Sequence, residues 1–209
     1  KWINDYCWYK WEDRYLVIIR WKVMKIFINI LTLSRVFISF FIFLLLMESS
    51  LYWVAFILFF VVSITDYFDG YLARKFQLES EMGEILDPVA DKILVVFALL
   101  ALSINLNSYF VGFLSAFIVS REIWVAALRD FNARKGNLAA TKVTYLAKIK
   151  TTSQLLAIGS YILGLSLNNM IIIVVTDILL LISCLITIYT GFTYTRETFK
   201  NIIWKLKKT

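Results

Sequence analysis

The sequence contains no histidine in its 209 residues. This absence excludes an imidazole general base and a zinc site with histidine ligands, so any acid–base chemistry depends on carboxylate, lysine, tyrosine or cysteine side chains. One proline and seven glycines are too few for a collagen-like or low-complexity chain. The two cysteines, Cys7 and Cys184, are far apart and fit no metal-binding or redox spacing, so we expect free thiols.

Charged residues are also scarce, at 18%, whereas 60% of the residues are hydrophobic and 17% are aromatic. A soluble domain averages about 45–50% apolar residues, so this composition excludes an ordinary soluble protein and a disordered one. The chain is predicted to be an integral membrane protein. Its 22 lysines and arginines exceed its 15 acidic residues. In a membrane protein this excess indicates cytoplasmic loops and contact with anionic lipids rather than nucleic-acid binding.

Six apolar segments are long enough to cross a bilayer, which takes about 20 helical residues for a ~30 Å hydrocarbon core. They are, approximately, Ile26–Met47, Leu51–Tyr71, Ile85–Ile104, Tyr109–Leu128, Lys148–Leu167 and Met170–Thr190. None of the 22 basic residues falls in the three short connections that follow the first, third and fifth segments. By the positive-inside rule, both termini are therefore cytoplasmic. The predicted fold is an all-α integral membrane protein with six transmembrane helices and no cleaved signal peptide.

Residues 1–23 differ from the rest of the chain because they hold four of the seven tryptophans among many charged residues. This composition is typical of an interfacial helix whose indole rings lie at headgroup depth. The alternative is that the domain begins near Met24 and that the preceding segment is incidental. Either reading separates an N-terminal segment, 1–23, from a membrane domain, 24–209.

Four aspartates lie where the second span ends and the third begins, at a depth where charge is costly and usually marks function. Asp66 and Asp69 are three residues apart and Asp87 and Asp91 are four apart, so each pair shares one helix face. Since the two spans are antiparallel neighbours, the faces can converge. Four carboxylates without histidine or cysteine suit Mg²⁺, Mn²⁺ or Ca²⁺ and disfavour zinc. The alternative is a set of inert, solvated acids at a helix–loop boundary.

The segment around these aspartates resembles the signature of the CDP-alcohol phosphatidyltransferase family. The pattern D-x2-D-G-x2-A-R-x8-G-x3-D-x3-D is matched at all eight fixed positions: Asp66, Asp69, Gly70, Ala73, Arg74, Gly83, Asp87 and Asp91. The resemblance implies six transmembrane helices, a homodimer, and transfer of a phosphatidyl group from CDP-diacylglycerol to an alcohol with release of CMP. It also implies two divalent ions, Mg²⁺ or Mn²⁺, which would clamp the diphosphate.

The same resemblance implies a role for each matched residue. Asp66, Asp69, Asp87 and Asp91 would be metal ligands, and Asp91 would also be the catalytic general base. Gly70, Ala73, Arg74 and Gly83 would border the cytidine and diphosphate of CDP-diacylglycerol, together with Asp66. The segment Asn29-Ile30-Leu31-Thr32-Leu33-Ser34-Arg35 is similar to the family's opening of the first span, although Ile28 stands where a proline is frequent. Asn29, Thr32 and Arg35 are therefore included in the donor site.

Two further segments are similar to the branch of this family that makes phosphatidylglycerophosphate. They are Ser120-Arg121-Glu122-Ile123 through Leu128-Arg129, and Leu146-Ala147-Lys148-Ile149-Lys150-Thr151-Thr152. The cations Arg121, Arg129, Lys148 and Lys150 could bind a phosphate-bearing acceptor, whereas a choline acceptor would favour an aromatic cage. The predicted acceptor is thus glycerol 3-phosphate. In the alternative reading these cations only fix the topology, and Arg121 pairs internally with Glu122 or another acid.

Other functions remain open at this level. A cardiolipin synthase, or an enzyme that uses serine or inositol phosphate, would share the aspartate signature. A cation- or proton-coupled transporter with the four aspartates along its pathway, or a non-catalytic scaffold, belongs to another class. The default location is a bacterial inner membrane with the active site facing the cytoplasm. Asp177, the remaining intramembrane acid, is expected to make a structural hydrogen bond to a neighbouring helix.

Overall fold

The computed structural model describes residue 26 and residues 29–75, 81–135 and 145–206. Side chains are described at all of these positions except 66–75, 81, 82, 84, 85, 87, 88, 145–148 and 201–206. The helices are α1 (Asn29–Leu46), α2 (Tyr52–Lys75), α3 (Glu81–Asn105), α4 (Tyr109–Arg134), α5 (Tyr145–Ser166) and α6 (Met170–Leu206). A short 3₁₀ turn, Ser49–Leu51, precedes α2. Within these ranges there is no β-strand, so the all-α prediction is confirmed.

In the part of the chain that the structure describes, three helical segments are long and apolar enough to cross a membrane: Asn29–Leu46, Tyr109–Arg134 and Met170–Lys200. The segment Ser49–Thr65 is a shorter apolar helix. Each of the six predicted spans corresponds to one helix, but six crossings and the orientation of the termini stay predictions. The N-terminal segment, 1–23, lies outside the described residues.

The helices α2 to α6 extend past the predicted spans, mostly at the end away from the short connections. The largest difference is in α6, which was expected to end near Thr190 and continues to Leu206. The prediction was based on apolar composition, and the apolar segment ends before the helix does. No proline interrupts the polar segment after Thr190, and its side chains bind α4: Thr198 accepts a hydrogen bond from Asn132 at 2.8 Å. Packing against a neighbour thus maintains the helix where composition changes.

The connections before α4 and α6 use asparagine and serine in the same way. Asn107 and Asn168 adopt left-handed backbone conformations, with φ of 45° and 50°, which asparagine tolerates better than most residues. The next residue caps the following helix. The Ser108 hydroxyl accepts from the Val111 N–H at 3.4 Å, and the Asn169 side-chain oxygen accepts from the Ile171 N–H at 3.0 Å. These local signals explain how so few residues reverse the chain.

Successive helices run antiparallel around one apolar core. Between α5 and α6, Tyr161 hydrogen-bonds Asp177 and Gln154 hydrogen-bonds Thr187, so positions move in opposite directions along the two helices. The fully buried core side chains include Ile42, Leu46, Leu99, Leu102, Ile118, Ile158, Ile162 and Leu180, which come from five of the six helices. α5 contacts α2, α3 and α6, and α4 contacts α3 and α6. Many large apolar side chains face outward, as expected for a lipid-facing surface.

Candidate active site

The aspartate-bearing segments of α2 and α3 lie at the same height in the bundle. The register is set at the opposite end, where the Asn105 side-chain N–H₂ donates to the Tyr52 hydroxyl and to the Leu46 carbonyl, both at 2.7 Å. Asp66 lies 14 residues after Tyr52 and Asp91 lies 14 residues before Asn105, about 21 Å along each helix. The helices thus bring the two aspartate pairs to one level, although they are separated by a loop in sequence.

Of the predicted metal ligands and donor-site residues, the side chains of six lie outside the described residues: Asp66, Asp69, Gly70, Ala73, Arg74 and Asp87. Asp91 is described. Its side chain is 55% exposed, and its carboxylate accepts a long hydrogen bond of 3.4 Å from Nη1 of Arg35 on α1. Among the described side chains, no three histidine, cysteine or acidic residues form a metal-binding group. The predicted four-carboxylate centre therefore stays a prediction.

The predicted opening of the first span, Asn29 to Arg35, forms part of α1. Thr32 and Arg35 are almost fully buried there, and Asn29 is partly buried. A buried guanidinium needs a counter-charge, and Asp91 provides one from a helix 56 residues away. Gly83, in the first turn of α3, is buried as well. The structure thus brings one predicted donor-site residue, Arg35, to the predicted catalytic base.

A second charged cluster lies where α4, α5 and α6 meet. Arg121 donates to the Glu122 carboxylate at 3.1 Å and to the Thr190 hydroxyl at 2.6 Å. The Lys150 ammonium donates to the same carboxylate oxygen of Glu122. Lys150 is buried, and the Arg121 side chain is only 9% exposed. The pairing of Arg121 with Glu122 that the alternative reading described is present, and Glu122 also binds Lys150, a contact that the sequence reasoning did not predict.

Arg129 lies two turns further along α4 and contacts α6. Its Nη2 donates to the Tyr194 hydroxyl at 3.1 Å, and the guanidinium carbon lies 5.1 Å from the centre of the Tyr194 ring. The Nε atoms of Arg121 and Arg129 are buried and have no hydrogen-bond acceptor among the described residues. Three cations and one carboxylate leave this cluster with net positive charge and two unused buried donors. Such a site is suited to an anion.

The cation cluster lies at a depth similar to that of the aspartates. Arg121 is 12 residues from the start of α4 and Lys150 is 16 residues from the end of α5, about 18 and 24 Å from the short connections. α5 also contacts both helices that carry aspartates. The side chain of Lys148, the fourth predicted acceptor-site cation, lies outside the described residues.

Sequence reasoning missed the contribution of α6 to this cluster. Thr187, Thr190, Tyr194 and Thr198 recur at spacings of three and four, so they form a polar stripe on one face of an otherwise apolar helix. This stripe was the available signal. The prediction for Asp177, by contrast, is confirmed: it accepts a hydrogen bond of 2.6 Å from the buried Tyr161 hydroxyl on α5. Cys184 is a free, buried thiol, as expected.

Comparison with known proteins relates the chain to one group of enzymes. Residues 26–189 match the family described as CDP-alcohol phosphatidyltransferase. A Haemophilus influenzae protein named CDP-diacylglycerol–glycerol-3-phosphate 3-phosphatidyltransferase is 38% identical over 167 residues, which cover 78% of this chain and 88% of the relative. Proteins of the same name from Escherichia coli K12 and Shigella boydii are each 37% identical over 134 residues, 63% of this chain and 73% of the relative.

Proposed function

Because the chain belongs to the CDP-alcohol phosphatidyltransferase family, we propose that it transfers the phosphatidyl group of CDP-diacylglycerol to glycerol 3-phosphate. A hydroxyl oxygen of glycerol 3-phosphate bonds to the phosphorus of the phosphatidyl group, and the bond from that phosphorus to the oxygen of CMP breaks. The hydroxyl proton passes to a base. The products are phosphatidylglycerophosphate and CMP.

The names of the relatives support this reaction, and the cation cluster is the observation on the chain itself that supports the acceptor. Arg121 and Arg129 each have a buried Nε donor with no acceptor among the described residues. An unused buried donor costs about 1–3 kcal/mol, so a ligand that accepts from it binds favourably. The phosphate of glycerol 3-phosphate offers several anionic oxygens to Arg121, Arg129 and Lys150, and we include Lys148 in the same site. A serine acceptor carries one carboxylate and no phosphate, so it offers fewer anionic oxygens to these donors.

We further propose that Asp66, Asp69, Asp87 and Asp91 hold two Mg²⁺ or Mn²⁺ ions. The donor set fits, since it consists of four carboxylates carried by segments of two antiparallel helices that lie at one height. Such ions stabilise negative charge on phosphate oxygens during transfer. Asp91 accepts the proton of the acceptor hydroxyl. Arg35, which donates to the Asp91 carboxylate, orients that group.

The remaining donor-site residues of the proposal are those of the signature and of α1. Gly70, Ala73, Arg74 and Gly83 border the nucleotide, and Asn29 and Thr32 line the same side of the site. Six spans with both termini in the cytoplasm put the site in the cytoplasmic part of a bacterial inner membrane, where a lipid donor and a water-soluble acceptor meet. A homodimer surrounded by anionic lipids is the assembly we propose. Molecular mass in detergent by light scattering tests the dimer.

The reaction is tested by release of CMP from CDP-diacylglycerol with each of four acceptors: glycerol 3-phosphate, phosphatidylglycerol, serine and inositol phosphate. We expect CMP release with glycerol 3-phosphate and the appearance of phosphatidylglycerophosphate. Release with phosphatidylglycerol instead would identify a cardiolipin synthase. Release with none of them, in protein that is folded in detergent, would refute the proposed activity.

The metal centre is tested separately. EDTA should abolish CMP release, and added Mg²⁺ or Mn²⁺ should restore it. Asp69→Asn should lower turnover by at least about 100-fold, the scale of losing metal positioning or acid–base catalysis. Binding of Mn²⁺, followed by its electron paramagnetic resonance signal, should be lost in the same variant. Full activity after chelation would refute the metal proposal and leave the acceptor assignment unaffected.

A further inference from the structure

The C-terminal part of α6 makes four hydrogen bonds to α4. They join Arg121 to Thr190, Trp124 to Thr195, Arg129 to Tyr194, and Asn132 to Thr198, with distances between 2.6 and 3.1 Å. Two of these bonds involve the guanidinium groups of the proposed acceptor site. All four α6 partners lie beyond residue 189, where the family match ends. The C-terminal part of α6 therefore contacts the proposed acceptor site from beyond the matched residues.

Arg121 is held by two neighbouring residues of α6. The Thr190 hydroxyl donates back to the helix, to the carbonyls of Ile186 at 2.9 Å and Thr187 at 3.0 Å. Its oxygen is thus directed as an acceptor towards Arg121. Gly191 provides the space for the side chain, because a methyl group added there would lie 3.0 Å from Cγ and 3.2 Å from Nε of Arg121. A larger residue would force Arg121 to move by a few tenths of an ångström.

Arg129 is held by Tyr194 in two ways. The hydroxyl accepts from Nη2, and the ring lies beside the guanidinium at a distance typical of a cation–π contact. Tyr194 is itself buried, so its position is set by packing. In both arginines these contacts occupy one part of the guanidinium, while the buried Nε has no acceptor among the described residues.

We propose that Thr190, Gly191 and Tyr194 are positioning residues that set the affinity of the enzyme for the phosphate of its acceptor by holding Arg121 and Arg129. The inference rests on the proposed function, in which these two arginines bind that phosphate. A free arginine loses considerable side-chain entropy when it binds a ligand, whereas one that is already held loses little. The three α6 residues thus act on binding through the arginines and do not touch the substrate.

The first experiment compares two acceptor-site variants with a matched control. Thr190→Val and Tyr194→Phe each remove one hydroxyl that binds an arginine. Each should raise the half-saturating concentration of glycerol 3-phosphate about two- to tenfold, the range for one ordinary hydrogen bond, without changing that of CDP-diacylglycerol. The control is Thr195→Val, which removes the hydroxyl bound by the exposed Trp124 on the same pair of helices. This variant should not change the half-saturating concentration of either substrate.

Two further variants separate positioning from stability. Thr190→Ser keeps the hydroxyl and should restore the half-saturating glycerol 3-phosphate concentration to that of the wild type. Gly191→Ala favours the helix, since alanine has the higher helix propensity, yet it displaces Arg121. It should therefore raise the half-saturating glycerol 3-phosphate concentration and leave that of CDP-diacylglycerol unchanged. A purely structural role would instead alter the constants for both substrates together.

The outcomes distinguish this inference from the proposed function. Arg129→Gln tests the acceptor site directly and should raise the glycerol 3-phosphate constant more than any α6 variant. If Arg129→Gln does so while Thr190→Val, Tyr194→Phe and Gly191→Ala behave like Thr195→Val, the positioning role is wrong and the acceptor site stands. If Arg129→Gln has no effect either, the acceptor site itself is wrong. Changes of equal size for both substrates would also overturn the positioning role.

Discussion

Glu122 is the carboxylate on which the buried cation cluster depends, and its replacement by glutamine should destabilise the protein strongly. The side chains of Lys150 and Arg121 are 5% and 9% exposed, and that of Glu122 is 19% exposed. Both cations donate to one carboxylate oxygen of Glu122. Removing the charged partner of a buried pair costs about 3–5 kcal/mol, because the remaining charge is left uncompensated. As Glu122 is partly exposed, we expect Glu122→Gln to cost about 3 kcal/mol.

The measurement is the free energy of unfolding in mixed micelles, followed by circular dichroism during titration with SDS. The matched control is Asp130→Asn on the same helix. Asp130 pairs with Arg134 at 2.8 Å, but those side chains are 60% and 78% exposed. An exposed pair contributes about 0–1 kcal/mol, so the control should be close to the wild type. Adding Lys150→Met to Glu122→Gln should recover part of the loss, because it removes one of the two uncompensated charges.

Two results would refute this reasoning. If Glu122→Gln and Asp130→Asn cost the same, the cations of the cluster are hydrated and the burial that the structure shows has no energetic consequence. If Lys150→Met lowers the stability of the Glu122→Gln variant further, the side chains of Lys150 and Glu122 do not stabilise each other through charge. The positive potential proposed to attract the acceptor phosphate would then need another origin.

Two more predictions concern the contacts between α5 and α6 and the packing of glycines. Asp177→Leu leaves the buried Tyr161 hydroxyl without its acceptor and should cost about 1–3 kcal/mol of unfolding free energy in the same titration, whereas Asp177→Asn, which keeps an oxygen acceptor, should cost less. Neither variant should change the half-saturating concentration of glycerol 3-phosphate. Gly164→Ala introduces a methyl group 3.0 Å from Ile173 and should destabilise by about 1–3 kcal/mol, whereas Gly112→Ala, whose nearest contact is at 3.8 Å, should be neutral or stabilising. Equal effects of the two alanines would contradict this packing.

The sequence by itself determined the elements of this fold and predicted the acidic half of the proposed site. In a bilayer every backbone group must be satisfied within its own segment, so apolar length predicts helices without knowledge of their neighbours. The connections are local as well, since Asn107 with Ser108, and Asn168 with Asn169, cap and reverse the chain through their own side chains. The aspartate signature depends on short spacings within two helices, and such spacings can be recognised directly in the amino-acid sequence.

The ends of the helices and the environment of the basic residues depended on tertiary structure. Apolar composition placed the end of α6 near Thr190, whereas contacts with α4 carry the helix to Leu206. The sequence suggested that Arg121 pairs with its neighbour Glu122, but it contained no sign that Lys150, 28 residues away, shares that carboxylate. The positive-inside rule uses only the number of basic residues in each segment, so it does not indicate the partner of any one of these cations.

Only the packing of the helices decided which polar side chains meet. Arg35 reaches Asp91 across 56 residues, and Arg121 reaches Thr190 across 69. The period of a helix indicates which residues share a face, but the rotation and height of that face relative to another helix follow from the packing of all the helices together. Contacts such as that of Arg129 with Tyr194 depend on these rotations to within an ångström. For this reason the chemistry proposed for the signature could be predicted from the sequence. The contacts that α6 makes with Arg121 and Arg129 in the proposed acceptor site became visible only in the folded protein.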